Sequence, residues 1–332
     1  MKNRNSYTVG IDIGGTTTKI GLVLYKNKNF ILEKYKEITT LCGERNLEKM
    51  LEILANEINK FKNVSACGVG MAALIRVKDG IIINAPNVLW TKVNLKKKLY
   101  EKIKLPVIIE NDANVATLGI YNAIIKKKYP EVKNLVCFTL GTGIGGGIII
   151  NGKLLEGTSA TAAEIGHCII DINGKKCGCG SYGCVERYIG ARWFIEEVIH
   201  LLKKTKPSTI LYKMVNNDFT LITPKILYEA AQKKDKFSLE QWKKFGEYLG
   251  VAVSNLINIL NPEMIVFTGG VAKANKFFLP YLKEKVKSSF WPVISGSKYS
   301  PLKYIKYVTV ADKKIYGVLG AGILAHESFL SL

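Results

Sequence analysis

Tyr7-Thr-Val-Gly-Ile-Asp-Ile-Gly-Gly-Thr-Thr-Thr-Lys-Ile-Gly-Leu-Val-Leu-Tyr25 is an apolar run, a turn rich in glycine and hydroxyls, and a second apolar run. The runs 7–13 and 19–25 stand at hairpin distance and read as paired strands. The arrangement returns later: Leu135 to Leu140 reads as a strand, Gly141-Thr-Gly-Ile-Gly-Gly as a turn, and 147–150 as another strand. We read the pair as a weak internal repeat of two related halves. Around it, strand patterns lie near 30–37, 67–71, 81–83, 106–110, 264–268 and 307–310. Leu47, Met50, Leu51, Leu54, Ile58 and Phe61 recur at helical spacing, and further helix patterns cover 91–103, 113–126, 190–204, 223–233, 239–260 and 315–328. The expectation is a two-lobed α/β chain. No Gly/Ser-rich or Pro-rich linker marks the boundary. The repeat places the boundary near 111–116, and the expected domains are 1–112 with the last helix (about 315–332), and 113–314.

The 332 residues suit roughly two domains of about 150 residues. A hydrophobic share of 48% with 23% charged residues excludes wholesale disorder. No run approaches the roughly 18 apolar residues of a membrane span, and the opening residues are basic but lack the apolar stretch of a signal peptide. A cytoplasmic chain without a membrane partner is expected. The net charge of +21 suggests nucleic acid at first. Only Arg4, Arg45, Arg76, Arg187 and Arg192 carry the fork that reads bases and phosphates, while the lysines lie in short groups along the whole chain, such as Lys96 to Lys98 and Lys313-Lys314. Solvated basic faces are the expectation, with no nucleic-acid partner and some attraction for an anionic substrate.

Chemistry is concentrated in four places. In Asp12-Ile-Gly-Gly-Thr-Thr-Thr-Lys19 the glycines admit close backbone approach, and successive N–H groups can hold an anion. Asp12 there could hold Mg²⁺ through water; the alternative is a polar hairpin with a buried Asp. Gly141-Thr-Gly-Ile-Gly-Gly-Gly147 has the same logic, and the apolar Ile148-Ile149-Ile150 after it argues against a dinucleotide fingerprint, which should open into a helix. At Glu110-Asn-Asp112, a strand-to-helix corner, the carboxylate is either a helix cap or a base for an attacking hydroxyl. The fourth place is Glu164-Ile-Gly-His167 followed by Cys177-Gly-Cys179-Gly-Ser-Tyr-Gly-Cys184-Val-Glu186. One His and three thiolates form the ligand count of a closed structural zinc site, against a free-thiol loop with a core His. Cys42, Cys67, Cys137 and Cys168 lie singly in apolar surroundings and are expected to be buried.

Together these segments resemble the ROK family of repressors and sugar kinases, within the actin/hexokinase-like (ribonuclease-H-like) superfamily. The likeness runs from Asp12 to the final helix, and the spacing of Glu164, His167, Cys177, Cys179, Cys184 and Glu186 is its most specific part. The resemblance implies an interdomain cleft, ATP with Mg²⁺, and a sugar hydroxyl aimed at the γ-phosphate. Asp12, Gly14, Gly15, Thr16 and Lys19 match the first phosphate motif, Gly141, Thr142 and Gly143 the second, and Gly269 and Gly270 the turn beside the adenosine. Asp112 matches the catalytic base, and Asn111, Glu164, His167 and Glu186 match sugar-hydroxyl ligands. Asn87 lies in the segment expected over the sugar, where Trp90 reads equally as core. His167 would place one ring nitrogen on zinc and the other on the sugar. The resemblance implies glucose as the first candidate substrate, giving glucose 6-phosphate. Fructose, mannose, allose and acetylated amino sugars remain open, as do a polyphosphate donor and a sugar-responsive repressor. A repressor of this family carries a helix-turn-helix ahead of the first motif, where only a handful of residues stand here. A homo-oligomer, dimer or tetramer, is implied. Two departures bear on the sugar pocket: Ala72-Ala73 where Pro-Gly is common, and Ala163 where many members have Gly, though glucokinase-like members also have Ala there.

Overall fold

The computed structural model describes residues 5–159, 161–289, 300–313 and 315–330. Among the expectations above, Arg4, Lys314 and the last two residues of the final segment lie outside the described residues. The chain forms two compact units: Met1–Asn134 with Gly147–Ala163 and Lys313–Leu332, and Leu135–Gly146 with Glu164–Asp312.

The first unit opens with β1 (Ser6–Ile13), β2 (Thr17–Lys26), β3 (Asn29–Thr39) and helix α1 (Leu47–Ile58). It continues with β4 (Val64–Met71), β5 (Leu74–Arg76), β6 (Ile81–Ala85), β7 (Trp90–Asn94) and α2 (Leu95–Ile103). Next come β8 (Val107–Asn111) and α3 (Asp112–Ile120), which runs through a π turn, Tyr121–Ile125, into α4 (Lys126–Lys128). The main sheet has the order β3-β2-β1-β4-β8, antiparallel among the first three strands and parallel from β1 through β4 to β8. Alternation assigns its faces. Val9, Ile11 and Ile13 with Cys67, Val69 and Met71 point into a core shared with Leu51 and Leu54 of α1 and Leu99 of α2.

On the other face, glycines of β1 and β4 bring main chain against main chain. A Cβ built at Gly10 would stand 1.8 Å from the Val318 carbonyl oxygen, and one at Gly68 would stand 1.9 Å from that of Ala321. The C-terminal helix (Ile315–Phe329) therefore lies directly on the strand backbones. It meets α3 in the same way, with a Gly119 Cβ at 2.1 Å from the Tyr316 carbonyl oxygen.

In the second unit β9 (Leu135–Leu140) leads into β10 (Ile144–Ile150), which enters the first unit at Gly147 and is followed there by β11 (Lys153–Leu154). Helices α5 (Val185–Ile189), α6 (Ala191–Thr205), α7 (Leu211–Met214), α8 (Pro224–Gln232) and α9 (Lys236–Leu260) precede β12 (Met264–Thr268). Then come α10 (Asn275–Ser289) and β13 (Lys306–Thr309). The sheet order is β11-β10-β9-β12-β13, with β9, β12 and β13 parallel.

The expected elements differ from these in several respects, and β5, β11, α7 and the 15-residue α10 were not expected at all. The helix expected from 91 begins at Leu95, because Trp90–Asn94 pairs with β6 and the Asn94 side chain caps α2 by accepting from the Lys97 N–H. The expected division at 112/113 does not coincide with the grouping of the chain by contacts. Residues 113–134 stay with the first unit because α3 is packed against the C-terminal helix, and 147–163 join them. Cys67 and Cys137 are buried, whereas Cys42 is half-buried and Cys168 exposed.

Because the atoms facing Gly68 are main chain, Gly68→Ala should lower the free energy of unfolding by about 3 kcal/mol, read from urea denaturation. Gly178→Ala, whose nearest neighbour would be Trp193 at 3.6 Å, should stay within about 0.5 kcal/mol of the parent. An unchanged midpoint for Gly68→Ala would remove the backbone contact from the fold.

Candidate active site

In the first unit the carboxyl ends of β1, β4 and β8 align, with Ile13 opposite Met71 and Met71 opposite Asn111. Ligands of open α/β sheets bind at such ends. Asp12 and Lys19 are cross-strand partners, and their side chains form a partly buried ion pair at 2.5 Å. The turn after β1 closes with the Gly14 N–H donating to the Thr17 carbonyl at 3.2 Å. A Cβ at Gly15 would meet the Asn87 carbonyl oxygen at 2.9 Å, so this turn lies against the segment expected to cover the sugar. Trp90 of that segment is fully buried.

At the β8–α3 corner Asn111 is the helix cap, its Oδ1 accepting from the Ala113 N–H at 2.8 Å. Asp112 follows as the first helical residue, its Oδ1 2.9 Å from the same N–H. Glu110 is wholly buried beneath them and accepts from the Asn111 N–H (2.7 Å) and from Asn114 Nδ2 (3.0 Å). This corner holds a carboxylate in place on the side where the strands end. Asp12, Gly14, Gly15, Thr16, Lys19, Asn87, Asn111 and Asp112 thus all belong to the first unit.

The second unit gathers the remainder. The Gly141–Gly143 turn is held by the start of α6, where the Ala191 N–H donates to the Gly141 carbonyl (3.1 Å) and the Arg192 N–H to that of Thr142 (3.4 Å). Glu186 Oε2 accepts from the Ile144 N–H at 3.0 Å, and a Cβ at Gly143 would lie 2.3 Å from that oxygen. Sequence reasoning missed this contact, because nothing in a Cys-x-Glu spacing points to a turn 42 residues earlier. Gly269 and Gly270 follow β12. Gly269 has φ 94°, and a Cβ there would stand 2.4 Å from the Leu140 carbonyl oxygen, which sets this turn beside the Gly141–Gly143 turn.

His167, Cys177, Cys179 and Cys184 converge, with one ligand atom from each within 4.8 Å of the others. Cys179 Sγ and Cys184 Sγ are 3.7 Å apart; two sulfurs on one tetrahedral zinc, each about 2.3 Å from it, stand about 3.8 Å apart. His167 Nδ1 is buried without a hydrogen-bond partner, as suits a nitrogen aimed at a metal. Burial and the neighbouring thiols push Cys184 up to about 12. Burial likewise raises Cys177 and opposes ionisation of Cys179, but the N–H of Ser181 and the two partner thiols bring Cys179 below the ordinary value. Gly183, with φ 71°, makes the loop possible, since a Cβ there would fall 1.8 Å from the Asp171 carbonyl oxygen. Glu164 is exposed at the head of the short helical turn that carries His167. The Asp171–Tyr188 hydrogen bond (2.7 Å) beneath the loop was not foreseen; Tyr188 also stacks on Tyr248.

The model of the ROK family matches residues 8–328. A glucokinase from Halalkalibacterium halodurans is 34% identical over 328 residues, 96% of this chain and 94% of that protein. A xylose repressor from Caldicellulosiruptor bescii is 30% identical over 84% of this chain and 69% of its own length. Among solved structures, a ROK family glucokinase from Streptomyces griseus in complex with glucose and AMPPNP is 27% identical with a TM-score of 0.77, covering 97% of this chain and all of that one.

Ala163, the departure noted before Glu164, has φ 66°, a left-handed conformation that costs a residue with a Cβ about 1 kcal/mol. Ala163→Gly should therefore raise the thermal midpoint by roughly 1–3 °C, measured by calorimetry. A lowered midpoint would show that the chain relieves this conformation in solution.

Proposed function

The chain belongs to the ROK family, and with it to the actin/hexokinase-like α/β class; on that premise we propose that it is a sugar kinase moving the γ-phosphoryl group of ATP to a hexose, with glucose the first substrate to test. The observation that carries the reading is the Asn111–Asp112 corner, a carboxylate fixed at a strand end in the same unit as a glycine turn braced for an anion. The likeness to glucokinases over almost the whole chain supports the substrate class.

In this reading Asp112 takes the proton of the attacking hydroxyl as its oxygen bonds to the γ-phosphorus. The bond from phosphorus to the bridging oxygen breaks and ADP leaves. The two glycine turns bind the phosphates through main-chain N–H groups, and Gly269 and Gly270 border the nucleoside. Asn87, Asn111, Glu164, His167 and Glu186 orient the sugar. The internal bonds limit what two of them offer. Asn111 keeps its Nδ2 donors and Glu186 its Oε1, since Asn111 Oδ1 and Glu186 Oε2 each accept from a backbone N–H. Mg²⁺, when bound at the phosphates near Asp12 and Lys19, neutralises their charge. The donor set fits zinc at His167, Cys177, Cys179 and Cys184, a closed site that fixes the loop and leaves no position for a reactive water. With Nδ1 committed there, His167 presents Nε2 to the sugar.

An ADP-release assay with MgATP against glucose, mannose, fructose, allose, N-acetylglucosamine and N-acetylmannosamine tests the reading. Preference for glucose is the expected result. Turnover only with an acetylated sugar would change the substrate and keep the roles. Silence with every sugar, in zinc-loaded protein, would overturn the ATP-dependent assignment. Asp112→Asn should lower kcat by about 10³-fold while calorimetry still detects sugar binding; near-parental kcat would remove Asp112 as the base. Cys179→Ser should lose both the metal, counted by elemental analysis, and turnover, and full activity in metal-free protein would exclude a role for zinc. The repressor reading, favoured by the xylose repressor match, requires a DNA mobility shift that survives physiological salt and competitor DNA.

A further inference from the structure

We propose that Thr40 and Cys42 are positioning residues for the first glycine turn, and that Cys42 also ties this turn to the segment carrying Asn87. The proposal rests on the reading of that turn as a phosphate-binding loop. After β3 the chain passes along the outside of the turn and donates to three consecutive carbonyls. Thr40 Oγ1 donates to Gly14 (2.8 Å), Cys42 Sγ to Gly15 (3.0 Å), and the Thr40 N–H to Thr16 (3.0 Å). A peptide unit is planar and trans, so fixing the carbonyl of one residue fixes the N–H of the next on the opposite side. Engaging the carbonyls of Gly14 and Gly15 therefore turns the N–H groups of Gly15 and Thr16 away from the strap. Among the described residues these two N–H groups donate to no acceptor. They are the donors a phosphate oxygen would use.

The turn needs such a strap. Two successive glycines leave the backbone many conformations to lose on binding, and three hydrogen bonds from one extended segment remove most of that freedom beforehand. The anchor is itself buried: Thr40 is 6% exposed, and its Oγ1 lies 2.8 Å from that of the fully buried Thr18. On the other side, Cys42 Sγ is 3.7 Å from the Asn87 carbonyl oxygen, and the Gly43 N–H donates to the Val88 carbonyl at 2.8 Å. One thiol thus touches the turn expected to hold phosphate and the segment expected to cover the sugar, both within the first unit.

Steady-state kinetics in both substrates, with thermal midpoints as a folding control, tests this on Thr40→Val, Thr40→Ser, Cys42→Ala and Cys42→Ser. Loss of a hydrogen bond of this kind corresponds to about a 3- to 10-fold change. Thr40→Val and Cys42→Ala should each raise the KM for ATP by about that factor, and only Cys42→Ala should also raise the KM for the sugar. The serine variants, which keep a donor, should recover most of the loss. An unchanged KM for ATP in both deletions overturns the proposal even if the midpoint falls. Hydrogen exchange of the unliganded protein supplies a readout that does not require turnover. The bonded N–H groups of Gly14 and of residue 40, which donate to the Thr17 and Thr16 carbonyls, should exchange about 10-fold faster in the two deletion variants, and equal exchange overturns the strap. Inactive parent protein with the expected exchange pattern would overturn the kinase reading and leave the strap standing.

Discussion

The C-terminal helix meets β1, β4 and α3 backbone to backbone at glycines, and the first half of the candidate site depends on that contact. Gly10 and Gly68 supply the strand surfaces and Gly119 the helix surface. Thr8 adds a hydrogen bond to the Gly322 carbonyl at 2.8 Å, across a separation of 314 residues. Interiors packed at this density do not absorb an added methyl without backbone movement. The contact therefore fixes where β1 ends and α3 begins, and so where Asp12 and Asp112 stand. It also reaches the site directly, since a Cβ at Gly317, near the start of the helix, would stand 2.8 Å from Asp12 Oδ2. The last element of the chain is for this reason part of the first unit.

Both glycine turns are braced from behind, by different means. In the first unit the braces are a hydroxyl, a thiol and an N–H from one extended strap; in the second they are the opening N–H groups of α6 and the Glu186 carboxylate. In each, main-chain carbonyls of the turn are engaged by donors from a neighbouring segment. This is a general solution to a conflict in such turns: flexibility permits close approach, and freedom that persists before binding weakens it. Glu186 has a second consequence. It stands two residues after Cys184, so the loop that gathers the metal ligands and the turn that follows β9 share one short helix as their support.

The parts legible in the sequence were those whose chemistry is local. Asp12, the two glycine turns, the Asn111–Asp112 corner and the Cys177, Cys179, Cys184 spacing each carry their meaning within a few residues. The turns and the corner lie at strand ends in the structure, and the cysteines converge with His167. What the sequence concealed is carried by ordinary residues acting at long range. Nothing in the sequence marks Thr40, and Cys42 reads as one of four single cysteines expected to be buried, until their donors are placed on the turn. The strand at Trp90–Asn94 was hidden because five residues with two buried positions also fit one face of a helix. The compact units do not follow the boundary read from the repeat, because a repeat marks similar strand-turn-strand patterns whereas compact units follow contacts, and α3 finds its contacts on the C-terminal helix.

The glycines of the metal loop show how far a motif can be read before its geometry is known. All three look equivalent in Cys177-Gly-Cys179-Gly-Ser-Tyr-Gly-Cys184. Only Gly180 and Gly183 have positive φ, and only Gly183 would also collide with main chain; Gly178 has room for a Cβ. The loop is further held by its own backbone, with the Cys177 N–H on the Ser181 carbonyl (2.8 Å), the Ile170 N–H on Gly183 (2.9 Å) and the Val185 N–H on Cys168 (2.9 Å). These bonds bring three thiols together in a setting that resists ionisation of Cys177 and, most of all, of Cys184. A divalent cation reverses that resistance, because it stabilises the thiolate form of every ligand at once. The fold therefore builds the cluster from glycine geometry and hydrogen bonds, so that a metal held there would act on the charge of the thiols and the orientation of His167.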